Sequence, residues 1–435
     1  MDKPGNVPRP HDEVALSGRR LAGFSVLTVA TGGMNVPVQA YLPAYYATVI
    51  GLPLTTVGVI FMIGRLVSVA ADPLVGWASD RTRSRFGRRK PWILGGGALC
   101  LVGLAALFFP PAHAGKFYLG AALLAMCVGW TACSTPHYAW GGESAANPAG
   151  RSRIQAYLQT GASVGIFLVL LLPAILDAQG TGNPERRVST MGVVLALVLT
   201  AGLSLIAAFY REGQSRLSPP PQWQDIRRLA REPDLWRIVA SDFCVALGQG
   251  LRGAVFLFFV TRYMGLASPA LFLMFQYAFG ILASPLWARI SYRLGLMRTL
   301  IIAELAQVAV NLSLLLLAPG QWQLFAVLVA AQGLLQGSGN LMLRAMIYGL
   351  ADRHRGEGGS ALAGLLSSVF NVTTNTAFAV AVGIALPAIA LLGFDPKASG
   401  GTGLGGLHAF FALGPALGHL LSIAAITAGR SIRRE

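Results

Sequence analysis

The sequence has 435 residues, 54% hydrophobic and only 12% charged, with a formal net charge of +16. Soluble domains carry about a quarter charged residues, so this balance, with a mean hydropathy of +0.58, sets most of the surface against lipid and excludes an ordinary water-soluble domain. The histidines, His113, His137 and His354 among them, and Cys100, Cys127, Cys133 and Cys244 lack metal-ligand spacing; the cysteines lie in apolar runs and read as small packing residues.

Residues 1–20 form a polar tail with Pro4, Pro8 and Pro10. It does not look like a cleavable leader, so the first apolar run is expected to be retained. A bilayer-crossing helix needs about twenty mostly apolar residues. Such runs fall at about 21–50, 55–79, 92–110, 117–140, 154–176, 188–209, 237–261, 269–291, 297–318, 323–347, 359–392 and 406–428. The first and eleventh exceed what a crossing needs and are expected to tilt or break near Pro37 and Pro387.

The longest connection, Arg211 to Trp236, contains Pro219-Pro220-Pro221 and several arginines. It reads as a linker between two halves. The expected order is a tail (1–20), six spans (21–209), a linker (210–236), six spans (237–428) and a tail (429–435).

With the N-terminus taken as cytoplasmic, the outer loops hold only Lys116, Arg186, Arg187, Arg262 and Lys397, and Arg65 and Arg252 lie within spans. All other Lys and Arg fall in the tails, the inner loops or adjoining span ends. This positive-inside bias places both termini in the cytoplasm. It also accounts for the net charge without a nucleic-acid partner.

The halves repeat each other. Asp72-Pro73, Asp80-Arg81 and Phe86-Gly87 in the second span and its loop match Ser284-Pro285, Tyr292-Arg293 and Leu294-Gly295 in the eighth, with four loop residues missing from the second copy. Two such six-helix bundles, related by pseudo-symmetry in an all-α membrane protein, are the architecture of major-facilitator carriers.

The loop after the second span reads Asp80-Arg81-Thr82-Arg83-Ser84-Arg85-Phe86-Gly87-Arg88-Arg89-Lys90-Pro91-Trp92, preceded by Asp72-Pro73 and Gly76. Charge alone would pin topology. Gly87 permits a tight turn, Pro91 opens a helix and Trp92 suits the interface, while a buried Asp80 paired with arginines across the loop, among them Arg81, Arg83, Arg85 and Arg88, would make a gate-side latch. This pattern, with the run from Tyr41 through Gly51-Leu52, resembles the glycoside–pentoside–hexuronide:cation symporter family, which includes the melibiose carriers and, more distantly, vertebrate lysophospholipid carriers. The second half resembles that family only in span number and loop placement.

Charged groups in hydrocarbon are costly and usually face a cavity. Arg65 and Asp72 are seven apart, on one helical face and about 10 Å apart along the axis, with Ser68 between them. The resemblance implies that Asp72 belongs to a cation site, and that sodium-using relatives carry a second acid at the position of Ser68. One carboxylate suffices for a proton, whereas sodium prefers more oxygen charge, so H+ is expected over Na+. Arg252 lies too deep to snorkel inward easily and would suit a carboxylate. Asp242 reads as a gate or a structural partner, Arg344 as a loop-facing gate residue and Glu304 as a local pair. The expected cavity further comprises Asn35, Gln39, Tyr45, Trp130, His137, Tyr138, Tyr157, Thr373 and Asn375, polar and aromatic residues that suit sugars and other amphipathic solutes.

Sugar-carrying relatives place carboxylates in spans one and four and a lysine in span eleven. Alignment puts Gly32, Ser134 and Thr373 at those positions, so the sugar grip departs from the family. The expected function is alternating-access, proton-coupled symport of a small organic solute, a glycoside or hexuronide by resemblance. The alternative is a non-sugar solute: an amphipathic lipid, a peptide-like compound or an organic anion. A membrane-embedded enzyme or sensor finds no metal cluster, nucleophile motif or phosphate loop in the sequence. No cofactor is expected, and the chain is expected to act as a monomer in the inner (plasma) membrane.

Overall fold

A computed structural model describes residues 17–144, 148–212, 227, 230–353, 359–398 and 402–428. The outer parts of both tails, most of the linker with its proline triplet, and His354 lie outside the described residues. Among those described, twelve helices are long and apolar enough to cross a membrane and no strand occurs. They are α1 (Gly18–Thr48), α2 (Leu54–Arg81), α3 (Lys90–Phe108), α4 (Lys116–Glu143), α5 (Pro148–Ala178), α6 (Pro184–Phe209), α7 (Pro233–Tyr263), α8 (Pro269–Leu294), α9 (Leu296–Leu316), α10 (Trp322–Arg353), α11 (Gly359–Leu391) and α12 (Leu404–Thr427). Large apolar side chains such as Val102, Leu197, Leu282 and Leu391 stay exposed, as a lipid-facing surface requires.

Local chemistry explains the ends. Asn183 caps α6, its side chain accepting from the Arg186 N–H at 2.7 Å, with Pro184 at the first turn. The single residue Gly295 joins α8 to α9 with φ 81°, so the loop residues missing from the second copy leave a one-glycine turn. The expected irregularity at Pro37 is a π-helical turn over Pro37–Tyr41. A matching turn occupies Phe259–Tyr263 in α7 without any proline. α11 runs through Pro387 as one helix.

Helix pairing repeats between the halves. α1 packs on α5 and α6, α2 on α4, and α3 on α4 and α6; six helices later α7 packs on α11 and α12, α8 on α10, and α9 on α10 and α12. The α1–α5 seam is the tightest approach. A Cβ on Gly165 would stand 1.9 Å from the Val29 carbonyl oxygen, and one on Gly32 would stand 2.4 Å from Ala162 Cα. Only residues without a side chain let two backbones meet this closely.

The bundles meet at the end opposite the basic loop. There Gly58 of α2 abuts Val382, Leu386 and Pro387 of α11, Met62 abuts Gly383, and Gln39 of α1 abuts Gly253 of α7. One hydrophobic core joins Tyr41, Tyr46 and Phe61 with Phe256, Phe259 and Ile389 across the interface. At the basic-loop end the second bundle has its own core, built on Leu235, Trp287, Leu343 and Phe370. The contacts named between the bundles thus gather at the far, clamped end. From mid-depth toward the loop end polar side chains such as Asn35, Asn371 and Asn375 stay exposed, which marks the side on which a cleft lies.

Candidate functional site

α2 and α4 run parallel, so residues four apart on each helix meet as successive rungs. Ser68 Oγ lies 2.6 Å from Thr131 Oγ1. One turn further, Thr135 Oγ1 donates to Asp72 Oδ1 at 2.9 Å, and Ser68 Oγ also approaches the Cys127 carbonyl at 3.4 Å. The ladder holds one carboxylate and three hydroxyls. Among the described residues no three His, Cys, Asp or Glu gather as a metal site. Thr131 and Thr135 were not singled out in the sequence, although their spacing of four repeats that of Ser68 and Asp72.

Arg65 stands two turns before Asp72, and its Nε and Nη2 are buried without a hydrogen-bond partner. Met62, one turn away on the same face, touches Gly383 of α11. Arg65 therefore sits just below the seam where the bundles part.

Of the expected cavity residues, Asn35 and Asn375 are exposed at mid-helix and Tyr138 near the loop end of α4, and Gln39, Trp130, Tyr157 and Thr373 are half-buried. Two expectations are corrected. His137 is 1% exposed, stacks on Phe24 at 4.2 Å between ring centroids and turns Nε2 to the Phe24 carbonyl at 3.1 Å. It packs the interior of the first bundle. Tyr45 is buried at the clamped end, edge-on to Tyr46. An aromatic residue on a span packs equally well against helix or cavity, and pattern alone does not separate the two.

Gly32 bears on the missing sugar grip. Its Cβ direction runs into Ala162, so a carboxylate at this position has no room. Thr373 spends its hydroxyl on the Val369 carbonyl of its own helix at 2.9 Å.

In the second bundle Arg252 is buried close to Tyr277, and among the described residues no carboxylate pairs with it. Asp242 is wholly buried, accepting from Thr374 Oγ1 at 2.8 Å. Glu304 pairs with His419 at 2.6 Å. Arg344 donates to Asn371 Oδ1 at 3.2 Å.

The loop that closes α2 is organised by Arg89, which the sequence reading left outside the latch. Arg89 is 3% exposed. Its Nη2 donates to Asp80 at 2.8 Å and to Glu143 at 2.5 Å, and its backbone N–H donates to Glu212 at 2.9 Å. Arg88 joins Glu143 at 2.5 Å and Glu212 at 3.3 Å. Desolvation pulls the Arg88 guanidinium down, but Glu143, Asp80 and Glu212 outweigh it and hold its pKa above the ordinary value. Gly87 has φ 101°, and the Glu212 carboxylate fills the place of its absent side chain. Lys90 Nζ donates to the Ala207 and Tyr210 carbonyls at 2.7 and 2.9 Å, while the other basic residues face outward: Arg81 lies over the Trp77 ring at 4.2 Å, Arg85 over Phe86 at 4.6 Å, and Arg83 is exposed. This network ties α2, α3, α4 and the end of α6 within the first bundle.

At the clamped end, polar contacts cross between bundles. Arg187, paired with Asp177 at 2.7 Å, donates to the Ala267 carbonyl at 2.7 Å. Lys397 donates to the Gly51 carbonyl at 3.1 Å. A separate pocket of about 270 Å³, lined by Asp234, Arg237 and Met346 among others, lies at the loop end of the second bundle, away from the Asp72 ladder.

A family profile described as MFS/sugar transport protein matches residues 23–428. The chain belongs to this family. The match is consistent with the resemblance of the basic loop to glycoside–pentoside–hexuronide:cation symporters. It is 26% identical over 271 residues to the "Inner membrane symporter YicJ" of Escherichia coli (strain K12), covering 60% of this chain and 57% of that one. It is 24% identical over 255 residues to the "Putative glycoside/cation symporter YagG" of the same organism, covering 56% and 54%. The matched stretches thus span little more than half the length of these relatives. The fold is similar to that of the nucleoside transporter NupG, with a TM-score of 0.66 and 11% identity over 93% of this chain and 98% of that one. With twelve helices long and apolar enough to cross a bilayer, this MFS/sugar transport member is a multi-pass membrane protein, and the relatives named here are symporters.

Proposed function

We propose that the chain is a secondary active transporter that carries a small organic solute together with a proton. The observation that carries this reading is the Asp72–Thr135 rung, a single carboxylate in the wall of a cleft between two bundles. Three hydroxyls and one carboxylate, two of the hydroxyls already spent on each other, make a poor sodium cage and an adequate proton site. Arg65, two turns away with free N–H groups, supplies positive charge that the ionised Asp72 attracts after the proton leaves.

By the positive-inside rule the loop end faces the cytoplasm, so the clamped state is inward-facing. Transport then requires the α2–α11 seam and the Arg187 and Lys397 contacts to open while the loop end closes, a rocking of two bundles about a mid-depth site. Glycosides are the class named for one relative, the "Putative glycoside/cation symporter YagG". A second reading, an organic anion, is favoured by Arg252, buried with no carboxylate partner among the described residues.

The test is uptake into proteoliposomes under separately imposed proton and sodium gradients. Accumulation driven by the proton gradient alone is expected, with Asp72→Asn keeping exchange but losing accumulation. Accumulation driven only by sodium, or undiminished in Asp72→Asn, sinks the reading. Competition by sugars against organic acids separates the two solute classes.

A further inference from the structure

The second bundle holds a carboxylate that the Asp72 ladder does not use. Asp242 is 0% exposed. Thr374 Oγ1 of α11 donates to its Oδ2 at 2.8 Å, while Oδ1 has no hydrogen-bond partner. This repeats the chemistry of the first bundle, an aspartate on one helix held by a threonine on its neighbour. It is not the symmetry mate of Asp72, whose place in the repeat is taken by Ser284 on α8. The carboxylate of the second bundle comes from α7 instead.

The groups around Asp242 do not neutralise it. From α10, Arg344 lies within electrostatic reach, yet its guanidinium rests over the Phe370 ring at 5.1 Å and donates to Asn371. From α9 and α12, Glu304 and His419 are closed on each other at 2.6 Å, with Glu304 against Gly339 beside Val245. α7 itself adds Cys244 two residues on, and α11 contributes only neutral side chains at this level, Asn371, Thr373 and Asn375. An ionised carboxylate wholly out of water and without a cationic partner costs several kcal/mol, and a proton on Oδ1 removes that cost.

We propose that Asp242 is a second proton-binding site, loaded on Oδ1, with Arg344 as its alternating counter-charge. Release of the proton to cleft water leaves a carboxylate, and Arg344 exchanges Asn371 for it. Asn371 and Arg344 are exposed, so water and the guanidinium approach from the cleft. This rests on the proton-coupled reading and adds a second proton to it.

The test needs no transported solute. Infrared difference titration of the full chain in lipid nanodiscs would compare wild type with Asp72→Asn, Asp242→Asn, Asp242→Glu and Arg344→Gln. Wild type is expected to show two carboxyl carbonyl bands that vanish as pH rises. Asp242→Asn removes one, Asp242→Glu returns it at a displaced frequency, and Arg344→Gln moves its midpoint while leaving the Asp72 band in place. An Asp242→Asn spectrum identical to wild type overturns the proposal. So does Arg344→Gln with neither midpoint moved, which would make Asp242 a structural acceptor for Thr374. If Asp242→Asn fails to fold, the band shift in Asp242→Glu decides. A wild-type spectrum with one titrating band that survives Asp72→Asn and disappears in Asp242→Asn would fault the proton role of Asp72 and leave the Asp242 site standing.

Discussion

The two bundles share a helix-packing plan but differ in where they put charge. In the first, Asp72 and Arg65 are half-buried in the cleft wall, and the loop after α2 is a dense ionic knot around Arg89. In the second, Asp242, Glu304 and Arg252 are withdrawn from water, and the equivalent loop is Gly295 alone. Packing is repeated because each bundle must bury the same helix faces against the same neighbours. Charge is free to diverge, since it answers to the site each bundle builds rather than to the fold.

Substitution at the seams gives the largest expected contrast. Gly165 meets the Val29 backbone, whereas Gly250 in the corresponding α7–α11 seam meets the Ala381 and Phe378 side chains. Backbone cannot rotate aside, so Gly165→Ala should cost more than the roughly 1–3 kcal/mol typical of overpacking, and Gly250→Ala should fall within that range. Thermal unfolding of the two purified variants measures the difference, and equal losses would mean the seams are equally yielding.

The loops come next. Arg89→Gln should cost about 1.5–3 kcal/mol, the worth of hydrogen bonds to charged groups, because Asp80 and Glu143 stay 46% and 28% exposed and Glu143 keeps Arg88. Arg293→Gln in the second bundle, at the position the repeat gives to Arg81 and with an exposed side chain, should change little. A small effect in Arg89→Gln would show that water solvates the knot.

Smaller still is the clamp. Lys397→Met removes one exposed bond to the Gly51 carbonyl, worth about 0.5–1.5 kcal/mol. Unlike loss of Arg187 beside Asp177, it strands no buried acid. It should shift the population toward opening at the far end, read as longer spin-label distances between the exposed residues 117 and 316. An unchanged distance distribution would assign closure to the α2–α11 seam and Arg187.

Much of the fold was legible because lipid imposes length and apolarity on every crossing helix. The twelve runs read from hydropathy agree with the helices to within a few residues, and Pro37 announced the π-helical turn. The matching turn at Phe259–Tyr263 carries no proline and left no trace in the sequence. Asp72 and Ser68 were visible as a pair one turn apart, but their partners Thr131 and Thr135 lie about sixty positions away, and only packing brings them together. Arg89 looked like one more basic residue in a run, and burial alone separates it from Arg83.

By itself, then, the sequence determined the membrane-spanning class, the twelve crossings, the two-fold repeat and the family, all of which follow from solvent, periodicity and a long contiguous motif. The tertiary structure decided which polar residues face the cleft and which only pack, turning His137 inward and leaving Asn35 open. It also decided that Gly32 has no room for an acid and that Asp242 keeps an unpaired oxygen. Those outcomes depend on what stands across from each side chain, and a helix's own sequence does not encode its neighbour.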